Sequence, residues 1–196
     1  MSKNIKYLFI SLILLFGGLG CFITDRLGSA VGGVATTDQA EAAKRAQAVV
    51  NYKLPEGFTE QMAMGMLGVE FVFMADAPLD ADNNEAKTFI LLAKLPENAG
   101  SAAADLKKQA EDALSSQRGE DNKVDMKQVD SREITINGEP TTLNVEEGQA
   151  ENGEGFRMMT AAFNAKSGGP ALLLIFGPTA SWNDPAIDQF LSSMQQ

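Results

Sequence analysis

The chain contains no histidine. That excludes Ser-His-Asp and Cys-His nucleophilic sites, histidine-ligated zinc, and imidazole acid–base chemistry near neutral pH. Cysteine is nearly absent as well: Cys21 is the only one, so no intrachain disulfide forms. No GxxxxGK[ST] or GxGxxG run occurs, so no glycine-rich loop of the phosphate-cradling kind is encoded. Basic charge is scarce. Lys3 and Lys6 are the only bases before Asp25, so beyond it 14 bases face 26 acids, a net charge of −12. Such a surface repels nucleic-acid phosphates and anionic lipid. It favours solubility, and it permits a cationic partner or a divalent cation.

Long apolar runs are also rare, with one exception. Tyr7 to Thr24, YLFISLILLFGGLGCFIT, is 18 uncharged residues, preceded by Lys3 and Lys6 and closed by Asp25 and Arg26. At about 1.5 Å per residue this is the lower limit for crossing a hydrocarbon core of about 30 Å. Cations ahead of it hold the N-terminus in the cytoplasm, so everything after Asp25 is expected outside, as a membrane-anchored, extracytoplasmic (periplasmic or cell-surface) domain. Three fates of the segment stay open. It is an uncleaved anchor, a lipoprotein signal acylated at Cys21 within Gly18-Leu19-Gly20-Cys21, or a secretory signal cut after Ala30. The resulting organisation is an anchor or signal over residues 1–27, a spacer and juxtamembrane helix over 28–48, and an extracytoplasmic α+β domain over 49–196. About 150 residues suffice for one domain with its own core.

Beyond the spacer, Asp38 and Glu41 have the spacing of a capping box opening an alanine-rich helix, which packs through Ala42, Ala46 and Val49. From Val49, VVNYKLPEGF reads as a strand. Met62, Met64 and Met66 fall two apart and share one strand face, an alternation continued by Val69, Phe71 and Phe73. KTFILLAKLP, reached by a hairpin across an acidic loop, reads as a strand buried on both faces. Ser101 to Gln117 carries Leu106, Ala110, Ala113 and Leu114 as a helical stripe. Strands follow in VDMKQVDSREITI, TTLNVEE, FRMMTAAFNA and ALLLIFGPT, with Asn137-Gly138 as a two-residue hairpin turn. Asp184-Pro185 opens a last helix bearing Ile187, Phe190, Leu191 and Met194. The order predicts an α+β fold: an antiparallel sheet flanked by helices, preceded by an N-terminal transmembrane or signal helix.

The phrase YKLPEGF, the INGEP hairpin and the closing ALLLIFGPTASWNDPAIDQFLSSM resemble the PsbP-like superfamily, which includes DcrB-type bacterial envelope lipoproteins. The resemblance covers Val49 to Gln196. It implies an antiparallel sheet flanked by helices and a non-catalytic accessory or assembly role, and it brings no catalytic residue with it.

Several groups of residues carry candidate chemistry. Asp80, Asp82 and Asn84 begin like an EF-hand loop, but Glu85 stands where glycine is required and Leu91 where the bidentate acid belongs, so only an irregular calcium site is left, against a solvated hairpin loop. Glu146, Glu147, Glu151 and Glu154 form a second acidic loop. Met62, Met64 and Met66 have thioethers suited to Cu(I), yet with Met74, Met158 and Met159 they read first as core. Trp182 with Asn183 forms a candidate partner-binding platform, weighed against a plain role covering the core at the mouth of the last helix. The chain is therefore expected to be no enzyme, to need no cofactor, and to bind other membrane or envelope proteins but not nucleic acid. The alternatives are a small-ligand or lipid-binding envelope protein and, with least support, a carboxylate-based hydrolase.

Overall fold

The computed structural model describes residues 34–66, 69–77, 88–97, 124–150 and 152–195. Asp38 opens the first helix as its spacing predicts. Its carboxylate accepts the Glu41 N–H at 2.8 Å, satisfying one of the orphan donors of the helix start, and α1 (Gln39–Val49) follows with Ala42, Ala46 and Val49 buried. The strand expected from Val49 does not form. Val49 is still helical, and residues 50–58 run without ladder partners. Pro55 has no N–H to offer a ladder, and Gly57 turns the chain at φ 86°.

The strands are β1 (Val34–Thr36), β2 (Thr59–Met66), β3 (Val69–Ala75), β4 (Phe89–Lys94), β5 (Lys127–Ile136), β6 (Glu139–Gln149), β7 (Gly155–Asn164) and β8 (Pro170–Pro178). They make one sheet in the order β1-β2-β3-β4-β8-β7-β6-β5, and every neighbouring pair is antiparallel. A 3₁₀ turn (Thr179–Ser181) leads to α2 (Asp184–Ser193). Two meanders are therefore joined along one seam. Strands β1 to β4 are sequential neighbours, as are β5 to β8, and the β4–β8 pairing unites them.

This corrects the expected α+β class with its flanking helices. Of the described residues 51% are strand and 20% helix, a sheet-dominated fold carrying two helices. Two features raise the strand share. Val34–Thr36, read as spacer, pairs with Ala63–Gly65. The alternation from Met62 to Phe73, read as one continuing face, folds back on itself as the β2–β3 hairpin. The helix expected over Ser101–Gln117 and the N-terminal segment Tyr7–Thr24 lie outside the described residues. No helix among the described residues is long and apolar enough to cross a membrane.

Both faces of the sheet are apolar at its centre. One carries Val72, Met74, Ile90, Leu92, Leu173 and Ile175 against α1 and against Ile187, Phe190 and Leu191 of α2. The other carries Phe71, Phe73, Leu91, Leu172, Leu174 and Met158, with Phe156 stacked on Phe176 at 5.6 Å. Leu95, leaving β4, and Val124, ahead of β5, belong to this second cluster. Ile90–Ala93 of β4 and Ala171–Gly177 of β8 are buried throughout, as unbroken apolar runs require. Each such leucine or isoleucine contributes about 1.5–3 kcal/mol when removed from water. The β7–β8 turn passes so close to the exit of β4 that a Cβ on Gly169 (φ 85°) would stand 2.8 Å from the Leu95 carbonyl oxygen, a position only glycine fills.

Candidate functional site

Sheet register builds the corner at Trp182. Glu147 on β6 lies directly opposite Arg157 on β7. The guanidinium donates to Glu147 Oε1 through Nε (2.8 Å) and Nη2 (2.7 Å) and through Nη1 to Asp184 Oδ1 (2.8 Å). Asp184 is the first residue of α2, so the salt bridge pins the helix start to the sheet, where a carboxylate also complements the helix dipole. The Trp182 ring lies beneath the guanidinium, 5.5 Å from its carbon, and the indole N–H donates to the same Asp184 oxygen at 3.0 Å. Burial alone would lower the Arg157 pKa, but the hydrogen bonds and charges of Glu147 and Asp184 outweigh it and hold the group above its ordinary value. The cation is permanent, and its one positive charge is shared between the two carboxylates, Glu147 and Asp184.

The two residues expected to bind a partner thus have defined local tasks. Trp182 is half-buried and packs against the core that contains α2. Asn183, rather than Asp184, is the N-cap: its side-chain oxygen accepts the Ala186 N–H at 3.2 Å, and Pro185 sits in the first turn, where no donor is needed. Sequence reasoning missed Arg157. Its signal was a single cation inside the apolar run FRMMTAAF, opposite an acid-rich strand.

The remaining candidates scatter. Asp80, Asp82 and Asn84 lie outside the described residues, as do Cys21 and Glu151. Asp76 at the stem of the acidic loop accepts the Thr88 N–H at 3.1 Å, closing the β3–β4 hairpin. Glu146 is buried on the sheet, Glu147 is committed to Arg157, and Glu154 is exposed. Among the described residues no group of three or more histidine, cysteine, aspartate or glutamate side chains stands close enough to hold a metal ion. The methionines divide between the faces: Met62, Met64 and Met158 join the second cluster, whereas Met74 and Met159 join the first. They act as core. Met62 and Met64 share one face with Phe71 and Phe73 across the β2–β3 hairpin, as their spacing predicts, whereas Met74 and Met159 follow Phe73 and Met158 by one residue and so fall on the opposite face.

A second surface emerges at the far edge of the sheet. Strand β5 ends the strand order, and Lys127 to Glu133 are all exposed. Val129, at the bulge between Gln128 and Asp130, is 56% exposed, the one large apolar side chain so placed among the described residues. No protein-family model matches the chain, and no curated protein matches it.

Proposed function

We propose that this chain is a non-catalytic, membrane-anchored extracytoplasmic binding domain, an accessory subunit of an envelope complex of the kind that the PsbP-like resemblance implies. The observation that carries this reading is the strand order. Strand β1, nearest the N-terminal apolar segment, is at one edge of the sheet, and the exposed β5 is at the other. Seven strand spacings of about 4.8 Å set those edges roughly 34 Å apart. The nine residues 25–33 between the apolar segment and β1 span at most about 32 Å, so an anchored segment would tether the molecule by its β1 side and leave the β5 edge accessible to a partner. The titratable groups with displaced pKa values are committed within the fold: Arg157 to its salt bridges, and the half-buried Tyr52 hydroxyl to Glu60.

The test is chemical crosslinking of the full chain in its native membrane, followed by purification. A discrete protein recovered in constant ratio supports the accessory-subunit reading. A co-purifying lipid or small molecule with no protein partner overturns it. That outcome favours the ligand-binding alternative, for which one observation speaks: the Thr160 hydroxyl is buried beside Met158 on the second face and has no hydrogen-bond partner among the described residues.

A further inference from the structure

The two-residue turn at Asn137-Gly138 fixes which way each β5 residue points its main chain. Ile136 and Glu139 flank the turn and exchange both hydrogen bonds, and Ile134 and Arg132 follow in the same phase opposite Thr141 and Leu143. The N–H and C=O groups of Ser131, Glu133 and Thr135 therefore point out of the sheet. The Ser131 N–H is already accepted by the Asp130 carboxylate at 2.8 Å. The outward groups of Glu133 and Thr135 have no partner among the described residues, and they form an open ladder.

The side chains around this ladder have a definite charge balance. Arg132 is committed to Asp188 at 2.5 Å, and Lys127 stands 3.7 Å from Asp125. Asp130 and Glu133 have no basic partner among the described residues, so the field over the open ladder is negative. We propose that the β5 edge is a docking site for an extended, cationic segment of a partner protein, which adds to the sheet as a ninth strand with a basic side chain opposite Glu133. Main-chain bonds to Glu133 and Thr135 supply the register, Val129 supplies an apolar contact, and the basic side chain supplies selectivity. A second copy of this chain fits less well. Two β5 strands joined through the main chains of Glu133 and Thr135 place each Glu133 opposite a Thr135, with no cation to meet it. This inference rests on the binding-domain reading and names its surface.

The test follows amide exchange of the full chain in detergent, using as probes a synthetic peptide alternating threonine and lysine and a matched peptide alternating threonine and glutamate. The basic probe is expected to slow exchange across Ser131–Ile136 about fivefold or more at saturating concentration, and the acidic probe to leave it unchanged. Glu133→Lys should reverse the preference. Thr135→Pro, which removes an outward N–H that β6 never uses, should abolish the effect while the edge strand still folds. Unchanged exchange with the basic probe, equal slowing by both probes, slowing that survives Thr135→Pro, or protection that rises with the chain's own concentration would each overturn the proposal. Crosslinking of the native partner by both variants at wild-type levels would overturn the edge but leave the accessory-subunit reading standing.

Discussion

The hydroxyl of Tyr52 donates to Glu60 Oε1 at 2.7 Å, and its ring meets Phe190 of α2 edge-on at 6.1 Å. Burial, then the hydrogen bond and the charge of Glu60, push its pKa far above the ordinary value of 10. The neutral phenol is the native form. Below pH 10 the folded and unfolded chains both keep the proton, so the contribution is fully present. As pH rises past about 10 the unfolded chain releases its proton and the folded chain does not, so stability falls, by up to about 1.4 kcal/mol per pH unit. Tyr52→Phe should cost about 1 kcal/mol near neutrality, from the lost hydrogen bond. The variant should also lack this alkaline slope, so the gap to wild type narrows above pH 10. Urea midpoints across that range measure it, and a gap that stays constant or widens would refute the assignment. Arg157 presents the opposite case, because its charge is native at every accessible pH and it organises its neighbours without titrating.

Asn137 shows how one turn can hold several elements. It occupies the first position of the β5–β6 turn at φ 50°, a conformation asparagine tolerates better than most residues. Its Nδ2 donates to the carbonyl oxygens of Val49 (3.2 Å), the last residue of α1, and Asn164 (2.8 Å), the last residue of β7. Its backbone N–H donates to Met194 at the end of α2 (3.0 Å). The hairpin tip thus satisfies orphan carbonyls at both helix C-termini. Asn137→Gly keeps the backbone conformation and removes only the side-chain donors, so it should cost about 1–3 kcal/mol. Asn137→Asp should cost more, because its carboxylate would face two carbonyl oxygens, and chemical denaturation of both variants gives the comparison. The turn itself was legible in the Asn-Gly pair, as were the Asp38 cap and the double-faced burial of Ile90–Ala93, because local spacing encodes them. The partners of Asn137 were not legible, since its side-chain amide and its backbone N–H depend on two helix ends, 88 and 57 residues away, meeting at one point. Nor was β1, whose three residues carry no periodicity and become a strand only because β2 offers an edge. The Trp182 site was half legible. Asp184-Pro185 signals a helix start, although the cap is Asn183 one residue earlier, and Arg157 joins the site only through the register of β6 on β7.

The seam between β4 and β8 decides whether the molecule is one unit or two. Each meander is built from hairpins whose partners are near in sequence, whereas the seam pairs Leu91 with Leu174 and Leu92 with Leu173 across the rest of the chain. Separated, each half would expose an apolar edge strand, FILLAK or PALLLIFGP, of the sort that aggregates. Together they bury these strands on both faces and along both edges, so the two halves gain most of their central burial from one another. Loop closure over that separation is costly and slows folding, which makes the seam the last contact to profit from and the first whose loss is felt everywhere. Leu173 is fully buried on the face that packs α1 and α2. Leu173→Ala should cost about 2–5 kcal/mol by leaving a cavity there. Because the seam couples the meanders, the substitution should accelerate amide exchange in β3 and β6 by the same factor, although neither strand touches position 173 in the ladder. Acceleration confined to β5–β8 would instead show that the two meanders open independently, and the β5 edge would then be free to move without disturbing the β1 edge.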